Sequence, residues 1–155
     1  MDIGFYQVTQ RLYELFQKQG FNSITLDEQQ ELDLKRQSIY PIAHIVPTSG
    51  GFDTNGTDTL GFLLVVLDLT DFNKSDPRDE NLMFYGIDNR QDILHALRQK
   101  LRNVVTDFVK GNSYSDQMQA FLPLSIDPII IDFENVLTGW SCLINITIPS
   151  NTNIC

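Results

Sequence analysis

Phe62, Leu63, Leu64, Val65, Val66 and Leu67 form an unbroken apolar run between Gly61 and Asp68. The run has the length of a strand, and its side chains alternate between faces. Phe62, Leu64 and Val66 therefore point one way and Leu63, Val65 and Leu67 the other. An antiparallel strand ordinarily wets one face, so burial on both calls for a layer on each side of the sheet. Two helices, one per side, satisfy that demand. If the helices share a side, the other face needs a second sheet or a neighbouring subunit.

The chain supplies two such helices. From Asp88 to Gly111, Ile93, Leu94, Leu97, Leu101, Val104, Val105 and Phe108 recur at three- and four-residue spacing, one stripe of an α-helix. Asp88 or Asn89 suits its N-cap, Asp92 its first turn and Gly111 its C-terminal stop. Near the start, Asp2 precedes a helix with Phe5, Val8, Leu12, Leu15 and Phe16 on one face, closed by Gly20.

Strand patterns fill most of the remainder. Residues 21–26 make a short strand. Ile42 to Val46 alternates, with Pro41 and Pro47 at strand ends or on an edge. Asn55-Gly56 is a hairpin turn signal, and Gly50-Gly51 before it marks a bulge or a flexible rim. Near the end, Ile129, Ile131 and Phe133 lead through a Thr138-Gly139 turn into Trp140, Cys142, Ile144, Ile146 and Ile148, a period-two run with one dry face. The order helix, short strand, hairpin, helix, hairpin predicts an α+β domain: a largely antiparallel sheet of two hairpins packed with two amphipathic helices. Residues 1–149 make one domain and 150–155 a short C-terminal tail.

With 155 residues, one domain buries roughly 70% of the surface of its unfolded chain. Cys142, in a strand, and Cys155, at the end, have neither disulfide-framework nor metal spacing. They read as a buried structural thiol and a free terminal one. The first residues lack the basic and apolar regions of a signal peptide, and no run approaches the roughly 20 residues of a membrane helix. The sequons at Asn55, Asn73 and Asn145 then carry no meaning.

The net charge of −9 argues against wrapping nucleic acid. It is unevenly spread: residues 88–111 carry five bases and three acids, +2, leaving −11 for the rest. One basic helix sits in an acidic body. Its charges serve either as a solvated helix back or as a contact for an acidic partner surface.

Catalytic signatures are absent. Asp53-x-Asn55-Gly56 lacks the further charged ligands of a calcium loop and reads as a turn. His44 and His95 have no HxxxH, HExxH or CxxC neighbours, and there is no phosphate-binding loop, dinucleotide fingerprint or nucleophile elbow. The carboxylates Asp68, Asp71, Asp132 and Glu134 lie on strands or at their ends, where a pair could hold magnesium, although edge-protecting carboxylates are commoner. No cofactor or metal site is expected.

Two blocks carry a resemblance. Asp33, Gln37, Ile39, Tyr40, Pro41, Ile42, Ala43 and His44 match an Asp-x-x-x-Gln-x-Ile-Tyr/Phe-Pro-Leu/Ile-Ala/Ser-His pattern, and Phe133, Glu134, Gly139 and Trp140 match a Phe/Arg-x-Asn/Glu pattern followed by Gly-Trp. With the helices, the Asp68 to Asp71 step and the acidic loop of residues 71–86, nearly the whole chain resembles tail terminator, tail completion and neck (head-tail connector) proteins of tailed bacteriophages of the Bacteroidetes-infecting or crAss-like type.

That resemblance implies a tail-terminator-like fold and a structural, non-catalytic role in the virion, at its neck or tail. The partners it implies are further copies, six or twelve in a ring, and other phage neck, portal or tail proteins. DNA passes through the lumen without specific binding, and no membrane is involved. Subunit-contact candidates are Arg98 and Arg102, one turn apart beside the apolar stripe, with Phe62, Leu64 and Val66 of the doubly apolar strand. Phe52, Asp53, Asn55, Asp76, Arg78 and Asp79, in loops, are candidates for contacts with the next ring. Other classes consistent with the residues are a cytoplasmic adaptor or inhibitor of one partner, and an enzyme using a metal at Asp68 or Asp132.

Overall fold

A computed structural model describes residues 4–26, 40–52, 56–69, 90–110, 119–120, 124–132 and 136–149. Helix α1 spans Phe5–Lys18 and places Val8, Leu12, Leu15 and Phe16 on one buried stripe. Its N-cap is Gly4, whose N–H donates to the Gln7 side-chain oxygen at 2.9 Å. That bond satisfies one donor at the helix start, where the sequence had suggested Asp2, a residue outside those described. At the other end Gly20 adopts φ +86°, the left-handed geometry that stops a helix.

Helix α2 spans Arg90–Lys110, about 31 Å at 1.5 Å per residue. Ile93, Leu97, Leu101, Val104 and Phe108 are buried, as the spacing requires. Asn103 of α2 donates from its amide to the Gln19 side-chain oxygen at 3.3 Å, linking the second helix to the end of the first.

The strands are β1 (Ser23–Leu26), β2 (Ile42–Phe52), β3 (Thr57–Leu69), β4 (Gln119–Ala120), β5 (Ile126–Asp132) and β6 (Val136–Pro149). They form one mixed sheet in the order β1, β2, β3, β6, with β5 and β4 one after the other along the far edge of β6. Only β1 and β2 run parallel. The two expected hairpins, β2–β3 and β5–β6, form the body of this sheet. Around the first turn, Gly56 has φ +84°. The register of β2 on β3 slips between Thr48 and Gly51. At the slip a Cβ on Gly50 would lie 2.1 Å from the Thr59 carbonyl oxygen, so the bulge requires glycine.

Thr138-Gly139 is not a turn. Both residues lie inside β6, opposite Asp68 and Leu67 of β3. Thr138 is fully buried, and a Cβ on Gly139 would stand 1.7 Å from the Val66 carbonyl oxygen. The glycine serves close approach of two strands.

Both helices pack on the same face of the sheet. Phe62, Leu64 and Val66 share one core with Ala43, Ile45, Cys142, Ile144, Ile146 and the buried stripes of α1 and α2. Phe5 stacks on Phe62 with ring centroids 5.6 Å apart, and Phe16 meets Phe21 edge-on at 5.5 Å. Each such large side chain contributes roughly 1.5–3 kcal/mol by leaving water. Among the described residues, the opposite face has a small cluster at one end: Tyr40, Ile42 and Leu137, with Leu67 and Leu69 against them. Of the two arrangements open to a doubly apolar strand, this is the one in which the helices cover a single face.

Candidate functional site

Arg98 and Arg102 lie one turn apart on the exposed side of α2 and flank a cavity of about 200 Å³. Leu101 and Val105 form its helix wall, and Leu124, Ile126 and Cys142 form its sheet wall, at the β5 side of the domain. The bed is apolar and the mouth is cationic. Arg98 is held in place from below: its guanidinium carbon stands 5.0 Å over the Trp140 ring, a cation–π arrangement. The Trp140 indole N–H in turn donates to the Leu94 carbonyl at 2.7 Å. An arginine stacked on a ring fixed to the helix backbone is ordered, yet keeps its donors toward solvent.

Cys142 sits in the cavity wall as a free, buried thiol. Burial, with a smaller contribution from the Asp127 charge, pushes its pKa up to about 11. Such a thiol is inert as a nucleophile at neutral pH.

The face away from the helices carries two kinds of cross-strand row. Val46, Leu63 and Leu143 align in register and form an apolar row, with Leu143 51% exposed. Beside it run Thr25, His44, Val65, Ser141 and Asp127. This second row contains a serine, a histidine and an aspartate, but β3 lies between His44 and Ser141. Two strand spacings, about 10 Å, separate them. Ser141 and His44 therefore make no nucleophile–base contact with each other. The Thr25 hydroxyl and His44 Nδ1 are hydrogen-bonded, tying β1 to β2.

Asp68, half-buried at the end of β3, accepts the Leu69 N–H at 2.8 Å. Its pKa is raised by burial, opposed by that hydrogen bond and by Lys100. Among the described residues, no three His, Cys, Asp or Glu side chains come together as a metal site. The Asp132 side chain lies outside them, as do Asp53, Asn55, Asp76, Arg78, Asp79, Phe133 and Glu134. Among the described residues, no helix is long and apolar enough to cross a membrane.

The sequence-derived contact residues divide sharply. Arg98 and Arg102 are exposed together, and Phe52, at the end of β2, is 88% exposed. Phe62, Leu64 and Val66, in contrast, are fully buried under the helices of their own subunit. They cannot touch a neighbour. Their alternates in the pleat, Leu63 and Val65, are half-buried on the face away from the helices. The sequence reading also passed over Tyr6 and Tyr13, 71% and 46% exposed on α1. Their seven-residue spacing, off the buried stripe, was the available signal.

The described residues of the two blocks that carry the resemblance fasten elements together. The Pro41 carbonyl accepts the Asn22 N–H at 3.0 Å, the Asn22 amide donates to the Tyr40 carbonyl, and His44 holds Thr25. Gly139 and Trp140 bring β6 against β3 and fix α2 on the sheet. Compared with known proteins, the chain matches no family model and no curated sequence.

Proposed function

We propose that this chain is a structural virion protein of a tailed bacteriophage, one subunit of a ring at the head-tail connector or tail, acting through subunit contacts. The observation that carries this reading is the placement of both helices on one face of the sheet. The opposite face bears the apolar row Val46, Leu63 and Leu143, the first two half-buried and Leu143 51% exposed, with no described helix on it. A long strand apolar on both sides is satisfied when a neighbouring subunit supplies the missing layer. Two further features support it. The exposed Arg98–Arg102 pair meets an otherwise acidic chain, a complementarity that repeats head to tail in a closed ring. Phe52 presents an exposed aromatic ring at a hairpin end, suited to contact the next ring along the axis.

An acidic surface also suits a lumen through which DNA slides without sticking. Native mass spectrometry over a concentration range, with negative-stain microscopy of the same samples, tests the reading. Closed rings of six or twelve copies support it. Detection of the protein in purified virions decides a monomeric result, and its absence there turns the reading toward an adaptor of a single partner. Arg98→Glu with Arg102→Glu should abolish assembly in low salt while the monomer stays folded.

A further inference from the structure

The α2–β5 cavity and helix α1 lie toward opposite edges of the same sheet, since α1 packs by β1 and the cavity by β5. Each edge bears an unused surface. At the β5 edge, an apolar bed of about 200 Å³ stands under two arginines. At the β1 edge, α1 turns Tyr6, Gln10, Tyr13 and Glu14 outward on one stripe, beside a second groove between α1 and β1. Tyr13 is aromatic and half exposed, and the carboxylate of Glu14 follows it directly.

We infer that Tyr13 and Glu14 of one copy are the occupant of the Arg98–Arg102 cavity of the next. The inference rests on the ring reading and names the contact within it. The match is one of size and charge. A tyrosine ring fills an apolar recess of this size, and its hydroxyl stays near the polar mouth. A carboxylate on the adjoining residue then lies against two guanidinium groups one turn apart, the pairing that arginine geometry favours. Of the cations on α1, Arg11 is only 19% exposed and is turned onto Glu14 at 3.9 Å, and Lys18 lies one turn beyond Glu14. Two arginines from the neighbour outcompete that long, single contact. Tyrosine and arginine are also the side chains that most often dominate interface energetics. Because the two surfaces are different and sit at different edges, the contact is heterologous and propagates from copy to copy.

Engineered disulfides test the inference in the full chain carrying Cys155→Ser. Gln10→Cys and Thr106→Cys place one thiol on each surface and leave Tyr13 and Glu14 intact, Gln10 being exposed on the same α1 stripe and Thr106 part of the cavity wall. Under mild oxidation the double variant should give a ladder of linked dimers, trimers and higher species on non-reducing gels. Each single variant alone should stay unlinked, and a mixture of the two singles should give dimers only. Linked dimers from one single variant would mean a two-fold contact and overturn the inference. So would wild-type rings, seen by native mass, combined with a double variant that forms no ladder; the ring reading then survives. Absence of both rings and ladder overturns the contact, and detection of the protein in purified virions then decides the ring reading. As a second arm, Arg102→Glu should raise the concentration needed for assembly about tenfold or more, and adding Glu14→Arg should restore it. Failure of that rescue with Tyr13→Ala also neutral counts against the contact.

Discussion

The indole N–H of Trp140 donates to the main-chain carbonyl of Leu94, 46 residues earlier in the chain, at 2.7 Å. It is the one side-chain hydrogen bond among those described that joins α2 to the sheet, and it carries Arg98 on the ring above it. The local order of the cavity mouth thus depends on a residue of β6. Trp140→Phe keeps most of the packing and removes the donor, and should cost about 1 kcal/mol in denaturant unfolding. Its assembly should weaken more than that loss implies, because Arg98 loses its best platform. Gly139→Ala, one residue away, has no room at all: its Cβ would meet the Val66 carbonyl oxygen at 1.7 Å. That variant should lose about 3 kcal/mol or more, read as a shifted urea midpoint.

What the sequence made legible follows from which interactions are local. The α2 stripe was readable because Ile93, Leu97, Leu101, Val104 and Phe108 obey one period, and all are buried. The β6 run was readable because Cys142, Ile144, Ile146 and Ile148 alternate against Ser141, Asn145 and Thr147. Gly139 misled because a glycine after a threonine looks the same whether it turns the chain or admits a neighbouring strand. Only the register against Val66 and Leu67 separates the two. The run from Phe62 to Leu67 likewise announced two buried faces without saying which one the helices take. That choice shows only in the packing, where α1 and α2 share a core with Phe62, Leu64 and Val66. The cavity was half visible. Arg98 and Arg102 were singled out, but Leu124 and Ile126 of its other wall belong to a segment with no comparable signal.

Asp68 gives a pH prediction. Its folded pKa is raised, chiefly by burial. A raised carboxylate pKa means that the folded state binds the proton more tightly than the unfolded chain, so ionisation opposes folding. Its favourable contribution is complete below the unfolded value and is lost as pH rises through the folded one. Asp68→Asn retains the acceptor for the Leu69 N–H and removes the charge. The variant should melt at a higher temperature than wild type at pH 7, and the difference should vanish below the ordinary aspartate pKa of 3.8. A lower melting temperature at pH 7 would show that the Lys100 attraction exceeds the cost of burial.

Cys142 gives a second. A thiol with pKa about 11 in place of 9.0 presents roughly a hundredfold less thiolate at pH 8. Iodoacetamide should therefore label it at least about a hundredfold more slowly in the native protein than in urea. Peptide mass mapping reads the site directly. The same shift adds an alkaline limit: stability linked to the protonated thiol is lost as pH rises from about 9 toward about 11.

The two faces of β3 make the sharpest contrast. Leu64 and Leu63 are neighbours, but Leu64 is fully buried under the helices and Leu63 lies half-buried opposite Leu143 on the other face. Leu64→Ala should cost about 2–5 kcal/mol, because the core around it collapses only partly. Leu143→Lys removes an apolar side chain that is already half in water, so the isolated subunit should lose no more than about 1 kcal/mol. If a neighbouring subunit covers that face, the same substitution buries an unpaired ammonium group in the contact and assembly fails. Thermal melts and sedimentation velocity on the two variants separate these effects. Leu64→Ala should lower the melting temperature and leave the surviving folded fraction competent to associate. Leu143→Lys should melt near wild type and sediment as a monomer. Should it still assemble normally, the face of Val46, Leu63 and Leu143 points to solvent in the particle, and the subunit contacts run through the sheet edges alone.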